Sequence, residues 1–110
     1  MQEITPSQLT ILDFNFQECK LMISMSIVNI KKDLSISRLA KECNCSMNSP
    51  KFYRVLNFLR FKNIITIEKM IGPTKFIKIN KKRLTEEILS NPQIAFVIDW
   101  HEDYNRWVSV

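Results

Sequence analysis

A single glycine, Gly72, in 110 residues excludes the chemistry that depends on glycine-rich loops. Phosphate-cradling loops need several positions without a Cβ so that the backbone can close on the phosphates. Histidine is equally scarce. His101 is the one imidazole, and its neighbours Asp99, Glu102 and Asp103 spread around more than half of a helix, so they do not converge on a reacting atom. With no paired-carboxylate motif either, the chain reads as a non-enzyme. Cys19, Cys43 and Cys45 make no even disulfide framework, and one Cys-x-Cys pair lacks zinc-site spacing. They read as small hydrophobes of a helical core, with no metal and no cofactor expected. Cys43 or Cys45 would sense oxidants only if exposed and of lowered pKa. The richest apolar stretch, positions 21–30, is half of the roughly 20 residues that a bilayer span requires. The acidic start Met1-Gln2-Glu3 is unlike a signal peptide. The expectation is a soluble, cytoplasmic protein without membrane insertion.

Charge is unevenly placed. Fourteen of the 16 Lys and Arg residues lie between positions 31 and 83, against Asp33, Glu42 and Glu68 only, a local charge of +11. The segments before and after carry −2 and −4, giving the overall +5. Self-repulsion of that size destabilises a compact state, so it points to a polyanionic partner, with nucleic acid first among the candidates. A solvated lysine-rich surface is the plain alternative. At 45% hydrophobic and 25% charged residues, the chain has the composition of one globular domain.

Periodicity supplies the element order. Thr5-Pro6-Ser7-Gln8 has the form of a helix start, so the spacing predicts an arm or short helix over 1–14. Asn15 with Glu18 three residues on forms a second capping pair. Cys19, Met22, Ile23, Ser26, Ile27 and Ile30 then predict a largely buried helix, with Lys31 and Lys32 in its last turn. Ser37 is expected to cap a short helix over 38–43, and Asn44 to take the left-handed conformation after it. Ser49-Pro50 opens a helix over 49–63, with Phe52, Val55, Leu56 and Leu59 facing the core and Asn63 as its stop. The period then drops to two at 64–67 and 76–79, a hairpin with an irregular basic tip containing Gly72-Pro73. Asn80 is expected to cap a short helix holding Leu84 and Ile88. A last helix restarts at Asn91-Pro92. The expected fold is therefore mainly α with a small β-hairpin: a core over 15–83 within one domain over 1–110, extended by N- and C-terminal helices.

At this point the sequence resembles the winged helix–turn–helix family. The run Leu34-Ser35-Ile36-Ser37-Arg38-Leu39-Ala40-Lys41-Glu42-Cys43-Asn44-Cys45-Ser46 looks like its first half. Leu56-Asn57-Phe58-Leu59-Arg60-Phe61-Lys62-Asn63-Ile64-Ile65 looks like the end of its recognition helix entering the wing. The similarity is to small archaeal, archaeal-viral or bacterial regulators of the multiple-antibiotic-resistance and arsenic-repressor types, and it covers roughly 15–83. Asn44 and Asn63 stand where the family usually has Gly, and the turn before the recognition helix is about two residues longer than usual.

The resemblance implies a transcription regulator that binds double-stranded DNA. A recognition helix over 49–63, with no acid in it, would enter the major groove, about 12 Å wide. Stepping 100° per residue from Phe52 puts Arg54 and Asn57 outward, flanked by Lys51 and Tyr53. Lys69, Lys75 and Lys78 in a wing over 64–80 would contact the backbone or minor groove, joined by Arg38 and Lys41. Phe58 and Phe61 fall off the core stripe, which points to burial against the C-terminal helix or a second subunit rather than to base stacking. Trp100, Tyr104 and Trp107 lie at helical spacing in the acidic segment over 84–110 and are assigned to a homodimer interface. Packing of these aromatics onto the first helix of the same chain is the other reading. A protein–protein interaction module in a replication, transcription or membrane-remodelling assembly, and a non-specific DNA binder, remain as alternative functions. No effector is indicated.

Overall fold

The computed structural model describes residues 13–29 and 33–90. The core begins with α1 (Phe16–Ile27), whose first turn is closed by a reciprocal capping box. The Glu18 amide donates to Asn15 Oδ1 at 2.9 Å, and the Asn15 amide donates to Glu18 Oε1 at 3.0 Å. Leu21, Met22, Ile23, Met25 and Ile27 are all buried, so α1 is covered on several sides, as an apolar helix must be. It ends at Ile27 rather than near Ile30, because Val28 turns to an extended ψ of 125°. Lys31 and Lys32 lie outside the described residues.

A two-residue strand follows, β1 (Leu34–Ser35), where no strand was expected. Ser35 does double duty. It pairs with the third strand, and its Oγ accepts from the Arg38 amide at 3.1 Å, capping α2 (Ile36–Glu42) two residues earlier than Ser37 would. The helix closes on Asn44, whose φ is 53°. The Cys45 amide donates to Ala40 O at 2.8 Å and the Asn44 amide to Lys41 O at 3.0 Å, the paired bonds of a Schellman motif.

Helix α3 (Pro50–Phe61) starts with Pro at its first position and ends in the same way. Asn63 has φ 59°, Ile64 N–H donates to Leu59 O at 2.9 Å, and Asn63 N–H donates to Arg60 O at 3.0 Å. Phe52, Val55, Leu56 and Leu59 are buried as the stripe requires. Phe58 is buried too, and among the described residues Phe14 lies against it, with ring centroids 4.8 Å apart. The C-terminal helix expected to cover it lies outside the described residues. Phe61 is 52% exposed.

The chain then forms β2 (Ile65–Ile71) and β3 (Thr74–Ile79), an antiparallel hairpin longer than the alternation indicated. Its tip is regular. Ile71 pairs with Thr74 across Gly72 and Pro73, with Gly72 at φ 59°. A positive φ at the first central position followed by a proline is the arrangement of a type II′ turn, whose twist suits a hairpin. Glu68 is the extra residue of a bulge between Ile67 and Lys69. The sheet order is β1-β3-β2, and β1 reaches only Ile77 and Phe76, so the outer half of the hairpin is a projecting two-stranded ribbon.

Asn80 closes the fold. Its amide donates to Ile64 O at 2.8 Å, and its Oδ1 accepts from the Arg83 amide at 3.1 Å to cap α4 (Lys81–Leu89). Leu84 and Ile88 then pack against α1, and the Lys81 ammonium donates to Val28 O. Four helices and a three-stranded antiparallel sheet make the described part mixed α and β, one strand more than helices plus a hairpin. The helices expected over 1–14 and beyond Asn91 lie outside the described residues.

Candidate nucleic-acid interface

The packing of α3 decides which of its side chains meet solvent. With Phe52, Val55, Leu56, Phe58 and Leu59 inward, steps of 100° leave Tyr53, Asn57 and Arg60 as an outward stripe at i, i+4 and i+7. All three are exposed, with Phe61 beside them. Tyr53 stands edge-on to Phe52, with centroids 5.8 Å apart. Asn57 and Arg60 have no ion pair or side-chain hydrogen bond among the described residues. Lys51 is half-buried on the Phe58 side of the helix. Arg60 was absent from the expected contact set, although its spacing of seven from Tyr53 was a usable signal.

Arg54 differs from expectation. Its Nη1 lies 2.6 Å from Glu18 Oε1, its Nη2 donates to Asp13 O at 3.1 Å, and the guanidinium sits 4.6 Å from the Phe14 ring centre. The Glu18 side chain is only 3% exposed, so Arg54 answers an acid that is almost dry. One contact in the first turn of α1 (Glu18) and two just before the helix (Asp13 and Phe14) make it a strut between the start of α1 and α3.

The hairpin lysines divide by face, because residues opposite each other in the ladder share a side. Lys69, opposite Phe76, donates to Asp33 Oδ2 at 3.0 Å and lies 5.1 Å from the Phe76 ring centre. Lys78 shares that face. Lys75, opposite Met70 and three residues from Lys78 along β3, is on the other; the Glu68 bulge in β2 is what brings Lys69 onto the Phe76 face. Lys75 and Lys78 are exposed and have no carboxylate partner among the described residues. Arg38 is 4.0 Å from Glu42, and Lys41 is exposed beside it in the last turn of α2. Lys82 and Arg83 add exposed charge at the start of α4. The cations without acid partners thus extend over α2, α3, the hairpin and α4, an arrangement suited to phosphates and to no anion of one fixed shape.

Among the described residues no three His, Cys, Asp or Glu side chains are placed to hold a metal ion. Cys43 is partly buried, and its thiol is pushed up to about 12, first by burial and then by the neighbouring Cys45 and Glu42. A groove of about 350 Å³ between the end of α1, the hairpin base and α4 is lined by Asp33, Glu68, Lys78 and Lys81, two charges of each sign. Among the described residues no helix is long and apolar enough to cross a membrane. Trp100, Tyr104 and Trp107, the expected dimer contacts, lie outside the described residues. In comparisons with known proteins, no family model matches the chain, and no curated protein or solved structure matches it.

Proposed function

We propose that the chain is a winged helix–turn–helix protein that binds double-stranded DNA inside the cell and regulates transcription. In this reading α2 and α3 are the helix–turn–helix, α3 enters the major groove, and the β2–β3 hairpin is the wing. The order α1, β1, α2, α3, β2, β3 and the sheet order β1-β3-β2 support it. The observation that carries the DNA reading is the acid-free open face of α3, Tyr53, Asn57 and Arg60, joined by the unpaired Lys75 and Lys78 of the hairpin. Asn is suited to an adenine edge and Arg to guanine or phosphate, while Tyr53 and Lys51 flank them. Arg54 acts by holding α3 against α1. Lys75, Lys78, Lys41 and Arg38 contact phosphates and give affinity without sequence information, and Lys69 joins them if it leaves Asp33.

A gel-shift titration over random duplexes at several salt concentrations tests this reading. Each phosphate neutralised contributes about −0.9 to the slope of log affinity against log salt, so several contacts give a steep line. Selection of a sequence motif is the expected result. Binding without selection reduces the protein to a non-specific binder, and no binding at about 50 mM salt removes the reading. The exposed Phe61 beside Asn57 is a feature that favours a protein–protein module instead.

A further inference from the structure

The tip of the hairpin carries two large apolar side chains where charge is expected. Met70 and Ile71 are 59% and 60% exposed, the most exposed of the large hydrophobics among the described residues. They are held in place. The type II′ turn at Gly72-Pro73 fixes the end of the ribbon, and the ladder continues through Met70↔Lys75 and Ile71↔Thr74. Adjacent strand residues point to opposite faces, so the tip has Met70 on one side and Ile71 on the other. The ribbon runs about 3.3 Å per residue, which carries the tip roughly 20 Å from Ile65, beyond the reach of β1 and the core. Exposed apolar residues at a projecting, rigid end are a feature of contact rather than of stability.

Resting on the DNA-binding reading above, we infer that Met70 and Ile71 form a wedge that enters the minor groove, opens a base step and bends the duplex. Charge is the first argument for this occupant. Lys75 lies on one face of the ribbon near its tip and Lys69 on the other, with Lys78 further back on the Lys69 face, so a tip entering edge-on meets a phosphate strand with a cation on each side. Size is the second. A minor groove about 6 Å wide does not admit a two-stranded ribbon about 4.8 Å across its backbones plus side chains. Entry therefore requires the groove to widen, and apolar side chains placed between base pairs do this while kinking the helix away from them. Only Lys69 of the three lysines is engaged by an acid, and that pair is exposed on both sides, so it is easily exchanged for phosphate. Sequence preference then arises where no base edge is read, because pyrimidine–purine steps open most readily.

The test measures binding and bending on one sample. Duplexes labelled with a fluorophore at each end, and carrying 2-aminopurine at a central TA step, are titrated with the full chain while gel mobility reports occupancy. The wild type is expected to raise end-to-end energy transfer, corresponding to a bend within roughly 20–90°, and to brighten 2-aminopurine as the step unstacks. The Met70→Thr/Ile71→Thr double variant changes only exposed strand positions, so it keeps the fold, checked by circular dichroism. It is expected to shift the duplex in the gel yet leave it straight and 2-aminopurine dark. Lys75→Ala should weaken binding and keep the bend in whatever is bound. Occupied but unbent duplex with the wild type, or an equal bend with the double variant, overturns the wedge and leaves DNA binding intact. No gel shift at all removes both. Sedimentation with phosphatidylserine vesicles that depends on Met70 and Ile71, in the absence of a gel shift, would identify the tip as a lipid contact and overturn the inference.

Discussion

Arg54 and Asn57 are one helical turn apart on α3, yet physics gives them different work. Arg54 neutralises a carboxylate that is nearly excluded from water, while its own side chain is 40% exposed. An exposed ion pair contributes under about 1 kcal/mol, and losing one partner of a fully buried pair costs about 3–5 kcal/mol. Glu18 keeps the Asn15 amide, so Arg54→Ala should fall between these limits, near 1–3 kcal/mol. That corresponds to about 4–8 °C in Tm per kcal/mol, readable by thermal denaturation. Asn57→Ala should leave Tm unchanged and instead flatten discrimination among DNA sequences by roughly 1–3 kcal/mol. Cys43 offers a test of a different kind. Its folded-state thiol titrates near 12 against an ordinary value of 9.0, so the folded state holds its proton more tightly. Stability from this group is complete below pH 9 and declines as pH rises between 9 and about 12. The thiolate is the reactive form, so iodoacetamide at pH 8 should label Cys43 slowly in the native protein and quickly in urea. Equal rates would show that Cys43 is not sequestered.

At the scale of elements, the two Schellman endings define where α2 and α3 stop and how the chain leaves them. Both use Asn at positive φ, and a residue with an ordinary Cβ pays roughly 1–2 kcal/mol for that backbone. Asn63→Ala should therefore lower stability by about 1 kcal/mol, and Asn63→Gly should match or exceed the wild type, both measured by urea denaturation. These endings were legible in the sequence because they are local: an Asn after a helical stripe, followed by an apolar residue. The caps at Asn15 and Asn80 were legible for the same reason. The parts that were not legible depend on partners distant in the chain. Strand β1 is two residues long and exists only because Phe76 and Ile77 lie beside it. The cap of α2 moved from Ser37 to Ser35 with that pairing. The Glu68 bulge depends on cross-strand register, which alternation in one strand does not reveal. At the site, periodicity placed Asn57 outward correctly, but it could not show that a flexible Arg54 side chain reaches back to Glu18, or that Phe14 covers Phe58. Arg60 was within reach of sequence reasoning and needed only the observed orientation of the stripe.

At the scale of the molecule, charge is segregated along the chain. The +11 between positions 31 and 83 contrasts with −4 over the following segment, which also holds Trp100, Tyr104 and Trp107. An acidic stretch is repelled by phosphate, so its aromatics are better suited to another protein surface than to DNA. The proposal that follows is a two-fold homodimer through 84–110, which presents two copies of α3 to one face of the duplex. Two-fold symmetry makes the binding site a near-palindrome, with half-sites about 34 Å or some 10 bp between centres. Large aromatics at the centre of such an interface are commonly worth 2 kcal/mol or more each. Trp100→Ala or Trp107→Ala should then shift the protein toward monomer. Duplex binding should weaken as well, because two linked half-site contacts become one, while the salt dependence per chain stays the same. Light scattering at micromolar concentration measures the mass directly. Twice the 13.0 kDa of one chain is expected for the wild type, with a fall toward the single value in either variant. A wild-type mass of 13.0 kDa would mean that the aromatics pack within one chain and that DNA is bound one copy at a time.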